Sequence, residues 1–453
     1  MRPLLFVHPP YNFLEDEGVQ NELLAGGVRD LMFGWWQLLD DRPEIDAPAL
    51  IGPETEGRFT RAYFTTPRHG RLVAPFHPDT TLYEDLGAVP PDMPVGLESR
   101  ADGLERLVSQ LSEKGFRVYA FGIPDNPIRW LTDEVGCVNN PRAAEYWRAR
   151  LRDYRQHYPT LAGCVTDGPG YGYEITPGFR GGGQLFAPLC TCAYCQARAV
   201  AMGANLDAMQ ASSERLHQRL HGLTPDAVDW FLESQVGVFD AIDVLFEDPD
   251  LVNLLRFKTS SVQDAITRTN AAIKEANPAW EYGICPRLPC FATIQGCNFR
   301  QLSRVTDFIQ SKHYLWMGGI DGFKGTLARY AQTLAEWSPA LDPKTIERLI
   351  CALLGVTLPE DYRIADFDRP APRSFFDSIV YRESRKMLQR IGDAERVSPF
   401  LGLEHGGTML TADELRHLLQ AMASAGLTRF TYYILNTIDD DVWQVLREVT
   451  IGS

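Results

Sequence analysis

Short runs rich in β-branched and aromatic residues alternate along the chain with longer segments whose apolar positions recur every three to four residues. That alternation is how a parallel sheet wrapped by helices reads in sequence. Seven runs read as strands: LLFVHP near residue 5, RVYAFGI near 119, AGCVTD near 164, EYGICPR near 283, DFIQSKHY near 309, PFLGLEH near 402 and FTYYILN near 433. RLVAPFH at 71–77 is taken as the second strand in order, preceded by a helix from Asn21 to Leu39. Helices are expected over Gly103 to Lys114, Pro141 to His157, Gln196 to His221, Ser260 to Ala276, Asp342 to Leu354 and Ala412 to Ala425. The run SSVQDAITRTNAAIKEANP has hydroxyl residues for an N-cap and a proline-terminated end, and it leads directly into EYGICPR. This step builds α/β barrels, although doubly wound sheets use it too. Eight strands in this order predict an α/β protein of the (β/α)8 TIM-barrel class with long loop insertions. One barrel domain over 1–453 is expected, with insertions at about 41–71 and 359–374 covering the catalytic face.

Composition narrows the partners. A chain of 453 residues with 45% hydrophobic content buries a large core. Its 44 basic and 59 acidic residues give a net charge of -15, which opposes nucleic acid and anionic lipid. The opening MRPLLFVHPPYNF is too short in apolar residues for a signal peptide or a membrane span, so neither is expected. Nine cysteines in such a chain argue against a complete disulfide framework and for a reduced, cytoplasmic compartment. No glycine-rich stretch has a nucleotide fingerprint, and no organic cofactor is expected. Trp35 and Trp36 offer a contact for a homo-oligomer, and core packing accounts for them equally well.

Some of the thiols need another explanation. LCTCAYCQARA places Cys190, Cys192 and Cys195 in a C-x-C-x-x-C knot just before a helix, close enough to give three thiolates to one tetrahedral ion. A fourth ligand must come from elsewhere, and Cys137, in the loop after the third strand, lies on the same side and is the candidate. Reduced cysteines in a compact turn are the simpler alternative.

The order of fourth strand, acidic residue, loop, C-x-C-x-x-C-Q-A and helix resembles the zinc-containing TIM-barrel β-galactosidases and related uncharacterised glycoside-hydrolase-like barrels. In that family the clustered cysteines and one from the preceding strand-loop hold a structural zinc, which implies that role for Cys190, Cys192, Cys195 and Cys137. The resemblance covers about 60 residues around the knot together with the strand order. It also implies catalytic carboxylates after strands four and seven. The family's Asn-Glu pair at the end of strand four is absent, because this chain reads CVTDGPGYGYE there. A sugar-cleaving barrel is therefore implied, and galactosidase specificity is not.

Glycoside hydrolysis needs two carboxyl groups flanking the bond, one to donate a proton and one to attack or activate water. Asp167 follows the apolar run of strand four, and Glu404 follows PFLGL on strand seven, so both emerge where barrel active sites sit. Glu174 is the rival acid, carried on a loop with Gly168, Gly170 and Gly172. An Asp before Gly-Pro-Gly also forms an Asx turn, and a Glu before a glycine turn can be merely solvated. Candidate substrate-binding residues are His405, His313, Lys312, Tyr314, Asn126, Asp125, Arg287 and Tyr173, with Tyr11, Asn12, Tyr171 and Trp316 beside them. Sugar rings stack on aromatic faces while polar side chains read their hydroxyls. Arg129, Arg180, Arg287 and Lys312 would suit an acidic sugar. The expected activity is a glycosidase removing a terminal sugar. The alternatives are a carbohydrate-binding barrel without turnover, or a metal-dependent hydrolase or lyase using His313 and His405.

Overall fold

The computed structural model describes residues 1–9, 11–34, 38–40, 48–49, 57–59, 68–69, 71–87, 93, 95–122, 137–173, 175, 190–234, 239–240, 247–318, 322–402, 404–405 and 408–452. Eight strands form its centre: β1 (Arg2–Val7), β2 (Asp30–Phe33), β3 (Arg117–Phe121), β4 (Gly163–Asp167), β5 (Glu281–Cys285), β6 (Phe308–Ile309), β7 (Phe400–Gly402) and β8 (Arg429–Tyr433). From β1 to β6 each strand pairs in parallel with the next, β7 pairs with β8, and β8 returns to β1. The seam between β6 and β7 closes through parallel bridges joining Ile309 to Val397 and Lys312 to Phe400. There the Phe400 N–H donates to the Ser311 carbonyl at 2.9 Å and the His313 N–H to the Phe400 carbonyl at 2.8 Å. The result is a closed parallel barrel with its strands in chain order, the TIM-barrel arrangement expected from the sequence.

The helices that cross from strand to strand begin at legible caps. Asn140 accepts from the Arg142 N–H ahead of Pro141–His157, Asp342 from the Lys344 and Thr345 N–H groups ahead of Pro343–Leu354, and Thr411 forms a capping box with Glu414 ahead of Ala412–Ser424. The expected helix from residue 260 is longer, Pro249–Ala276, because Pro249 opens it about three turns earlier. The segment 196–221 divides into Ala193–Ala201 and Leu206–Arg219, broken at Gly203, which has φ 69°.

The second strand differs from the sequence-based assignment. It is Asp30–Phe33, inside the segment expected to be helical, whereas Arg71–Val73 pairs antiparallel with Leu38–Asp40 outside the barrel. The physical reason is that a strand buried on both faces reads as an unbroken apolar run, which periodicity cannot separate from a buried helix. Asp30, the charge that interrupts the run, is itself buried. The insertion expected at 41–71 lies mostly outside the described residues, as do Trp35 and Trp36. That at 359–374 carries two single-turn helical segments, Ile364–Asp366 and Arg373–Phe375.

Alternation along the strands divides the core. Leu5, Val7, Leu31, Phe33, Val118, Ala120, Ile309, Leu401, Phe430 and Tyr432 face the helices. Leu4, Phe6, Met32, Tyr119, Phe121, Val165, Cys285, Phe308 and Phe400 fill the barrel. Glycine makes room for Phe308, since a Cβ on Gly283 would stand 2.4 Å from its ring. The bottom of the barrel is closed by charge. The Arg117 guanidinium donates to both Asp30 oxygens at 2.7 and 2.9 Å and to Glu281 at 3.1 Å, and the Tyr119 hydroxyl donates to Glu281 at 2.6 Å. Asp30 is buried while Arg117 and Glu281 stay partly open to solvent, so removing Asp30 leaves a partly solvated cation behind. Asp30→Ala is therefore expected to lower unfolding free energy by about 1–2 kcal/mol in denaturant titration, below the figure for a fully buried pair because Arg117 keeps 40% of its side chain exposed.

Candidate functional site

The C-terminal ends of the strands form a mouth walled by aromatic side chains and crossed by an ion pair. Asp167 is the last residue of β4, and Gly168 behind it has φ 54°, the left-handed conformation that turns the chain out of the strand. The Asp167 carboxylate lies 2.6 Å from the Lys312 ammonium, with only 13% and 5% of the two side chains exposed. Lys312 reaches the mouth because it has the same parity as Phe308, which fills the barrel. The ammonium also lies 5.8 Å from the Tyr314 ring, which stacks on Trp316 at 4.0 Å. Burial and then the Asp167 charge push the neighbouring Cys285 thiol well up, so Cys285 is an inert thiol rather than a nucleophile.

Parity turns His313 the other way. Its ring is fully buried outside the barrel against the helix Tyr381–Ile391, with Nδ1 3.1 Å from the Ser311 carbonyl and Nε2 3.4 Å from Ser384 Oγ. A carbonyl only accepts, so Nδ1 carries the proton and Nε2 accepts from the serine. Burial pushes His313 down to about 4, against the raising effect of the Ser311 hydrogen bond. His313 therefore does not share a metal or a sugar with Asp167. Its titration has a sign: between the ordinary value near 6.5 and about 4, the unfolded chain takes up a proton that the native protein refuses. That contribution to stability is complete above 6.5 and is lost as pH falls, by up to roughly 3 kcal/mol. His313→Gln is expected to flatten the stability curve in this window, measured by denaturant titration at successive pH values.

Other candidates fall in different places. Tyr173 is buried, packs on Phe291 at 5.0 Å, has the Arg287 guanidinium 5.7 Å from its ring, and accepts the Tyr330 hydroxyl at its carbonyl. Arg287 is buried with it, below the surface of the mouth. Tyr11 is buried too, stacked on Phe33 and donating to the Gly34 carbonyl at 2.6 Å, while Asn12 is exposed in a single helical turn. Glu404 and His405 start two residues beyond β7 in a small hairpin with Thr408–Met409, so their backbone stands at the same end of the barrel as Asp167. Glu174, Asp125, Asn126, Arg129 and Arg180 lie outside the described residues.

Two residues at the mouth escaped the sequence reading. His8, just past β1, has Nε2 3.0 Å from the Tyr433 hydroxyl at the end of β8. Both have the parity of the interior, Phe6 on β1 and Thr431 on β8, so counting alternate positions would have found them.

The four cysteines converge. Sulfurs of Cys137, Cys190, Cys192 and Cys195 all lie within 4.8 Å of one another, and Cys137 and Cys195 are 3.1 Å apart. A tetrahedral zinc with bonds of 2.3 Å separates its sulfurs by about 3.8 Å, within this span. The Asn139 N–H points at Cys137 at 3.4 Å and its amide at Cys195 at 3.3 Å, the donors a thiolate cluster needs. The set can hold a metal ion. Tyr171, three residues past Gly168, packs against this cluster rather than into the mouth. Its ring lies 5.2 Å from the buried Lys258 ammonium.

No family model matches the chain, and no curated protein does. Solved structures are similar to it. The polyextremophilic β-galactosidase of the Antarctic haloarchaeon Halorubrum lacusprofundi shares 12% identity over 100% of this chain and 58% of that one, with a TM-score of 0.49. The PgaB (BpsB) glycoside hydrolase domain of Bordetella bronchiseptica shares 10% over 99% and 98%, with a TM-score of 0.45. The endo-β-1,4-mannanase of Thermotoga petrophila shares 9% over 99% and 76%, with a TM-score of 0.43. The chain thus spans under two thirds of the Halorubrum enzyme. These neighbours are glycoside hydrolases, and at such identities and scores the likeness carries no argument about activity.

Proposed function

We propose that the protein is a glycoside hydrolase that removes a terminal sugar at the C-terminal mouth of its barrel. The observation that carries this reading is Asp167 at the end of β4, held 2.6 Å from Lys312 among the aromatic side chains of the mouth. A fixed carboxylate beside stacking faces suits an oxocarbenium-like transition state. Asp167 or Glu174 acts as acid/base, and Glu404 is the nucleophile or general base. Glu174 and the Glu404 side chain enter on their places in the sequence. The same mouth binds the carbohydrate, and no described helix is long and apolar enough to cross a membrane.

The ion pair also favours a second reading, a barrel that binds sugar without cleaving it, because a salt-bridged carboxylate can be a purely structural one. Titration calorimetry with a mixed oligosaccharide pool, followed by assay for new reducing ends, separates the two. Binding followed by reducing ends supports the hydrolase; binding with none after prolonged incubation overturns it.

Cys137, Cys190, Cys192 and Cys195 would hold a structural zinc. Bound there, the ion would cross-link the loop after β3 to the helix after β4, and Tyr171 would transmit that rigidity to the segment leaving Asp167.

A further inference from the structure

We infer that His8 and Tyr433 form a hydroxyl-reading wall of the mouth and that the sugar it takes is uncharged; this rests on the carbohydrate-binding reading above. The geometry begins with the backbone. The His8 N–H donates to Asn436 Oδ1 at 2.9 Å and the His8 carbonyl accepts from Asn436 Nδ2 at 3.2 Å, so one buried carboxamide clamps the residue just past β1. Above the clamp the imidazole meets Phe6 edge-on at 5.1 Å and Tyr433 edge-on at 5.5 Å, and its Nε2 is 3.0 Å from the Tyr433 hydroxyl. Tyr433 in turn lies 6.4 Å from Tyr314, whose ring is 5.8 Å from the Lys312 ammonium that faces Asp167. The arc His8, Tyr433, Tyr314, Lys312, Asp167 therefore runs along the mouth from β1 through β8 and β6 to β4. His8, Tyr433 and Asp167 are its partly exposed members, while Tyr314 and Lys312 are buried.

The chemistry of this arc is polar without a free-standing charge. An imidazole and a phenol joined by a hydrogen bond can together donate to and accept from a sugar hydroxyl, which is itself both donor and acceptor. Part of the His8 ring stays open to solvent, but burial of the rest lowers its pKa, to about 3, and favours the neutral imidazole near pH 7. Recognition of a carboxylated sugar is built on charge-assisted donors. Here the ammonium of the arc already faces a carboxylate, and the histidine offers a neutral ring.

The test is saturation-transfer NMR titration of the full chain with glucose, galactose, mannose and N-acetylglucosamine beside glucuronate and galacturonate. Wild type is expected to bind at least one neutral sugar and to bind the matching uronate more weakly. Tyr433→Phe, which keeps the ring and removes the hydroxyl, is expected to weaken the neutral sugar by about five- to tenfold. His8→Lys, which sets a cation at the same point, is expected to shift preference towards the uronate, a change that mere loosening of the fold would not produce. Preference of the wild type for a uronate overturns the inference. So does neutral-sugar affinity unchanged in Tyr433→Phe, in which case the carbohydrate reading survives. Absence of binding to all six sugars by the wild type overturns both.

Discussion

Asp167→Asn is expected to reduce glycoside turnover by about a thousandfold or more, the scale at which a carboxylate that moves protons or attacks acts. The substitution keeps the shape of the side chain and deletes its charge. It also removes the carboxylate facing Lys312, and an ammonium with 5% of its side chain exposed is costly without its counter-charge. The same variant should therefore lose roughly 3 kcal/mol of unfolding free energy, towards the low end for a broken buried pair. Lys312→Met separates the two effects, because it removes the cation and leaves the carboxylate. In the double variant Asp167→Asn with Lys312→Met, stability should recover towards wild type while activity stays absent. Recovery of activity in the double variant would show that Asp167 serves only to neutralise Lys312.

Loss of the zinc proposed for the cysteine cluster should have the second-largest effect. Cys195 is the buried member of the knot, and its sulfur is approached by both Cys137 and the Asn139 amide. Cys195→Ser replaces a soft thiolate by a poor zinc ligand. Metal analysis of the purified protein is expected to give about one zinc per chain for wild type and close to none for the variant. An ion bound by the native fold and only weakly by the unfolded chain adds to stability, so on the zinc proposal unfolding free energy should fall by several kcal/mol, and chelator should reproduce the loss in wild type. A wild-type protein isolated with no zinc, and no stabilisation on adding it, would return these residues to the status of reduced cysteines in a turn.

The fold was legible in the sequence wherever a strand was bounded by polar residues and followed by a capped helix. It was hidden at β2, where burial on both faces removes the alternation and Asp30 looks like a solvent-facing charge, although it belongs to the ion-paired floor of the barrel. The cysteine cluster could be read because ligand spacing survives in one dimension for three of its four members. Cys137 joins them only because consecutive βα loops emerge at the same end of a barrel. The mouth was read less well for a different reason. Position after a strand says which end of the barrel a side chain occupies, and only parity says whether it points inwards. Lys312 and His313 are neighbours in sequence, yet the first faces Asp167 and the second lies against Ser384. Parity applied to LLFVHP and FTYYILN would have turned attention to His8 and Tyr433. The pairing of Asp167 with Lys312 had no local signal, since it joins residues 145 positions apart that meet only once the sheet has closed.

The most direct measurement is turnover of a panel of chromogenic glycosides, neutral sugars and uronides together, by the purified wild type beside Asp167→Asn and Glu404→Gln. Release of chromophore from at least one glycoside by the wild type, abolished in both variants while their circular dichroism is unchanged, is the predicted result. Silence of the wild type across the panel, or near-full activity in Glu404→Gln, would contradict the assignment.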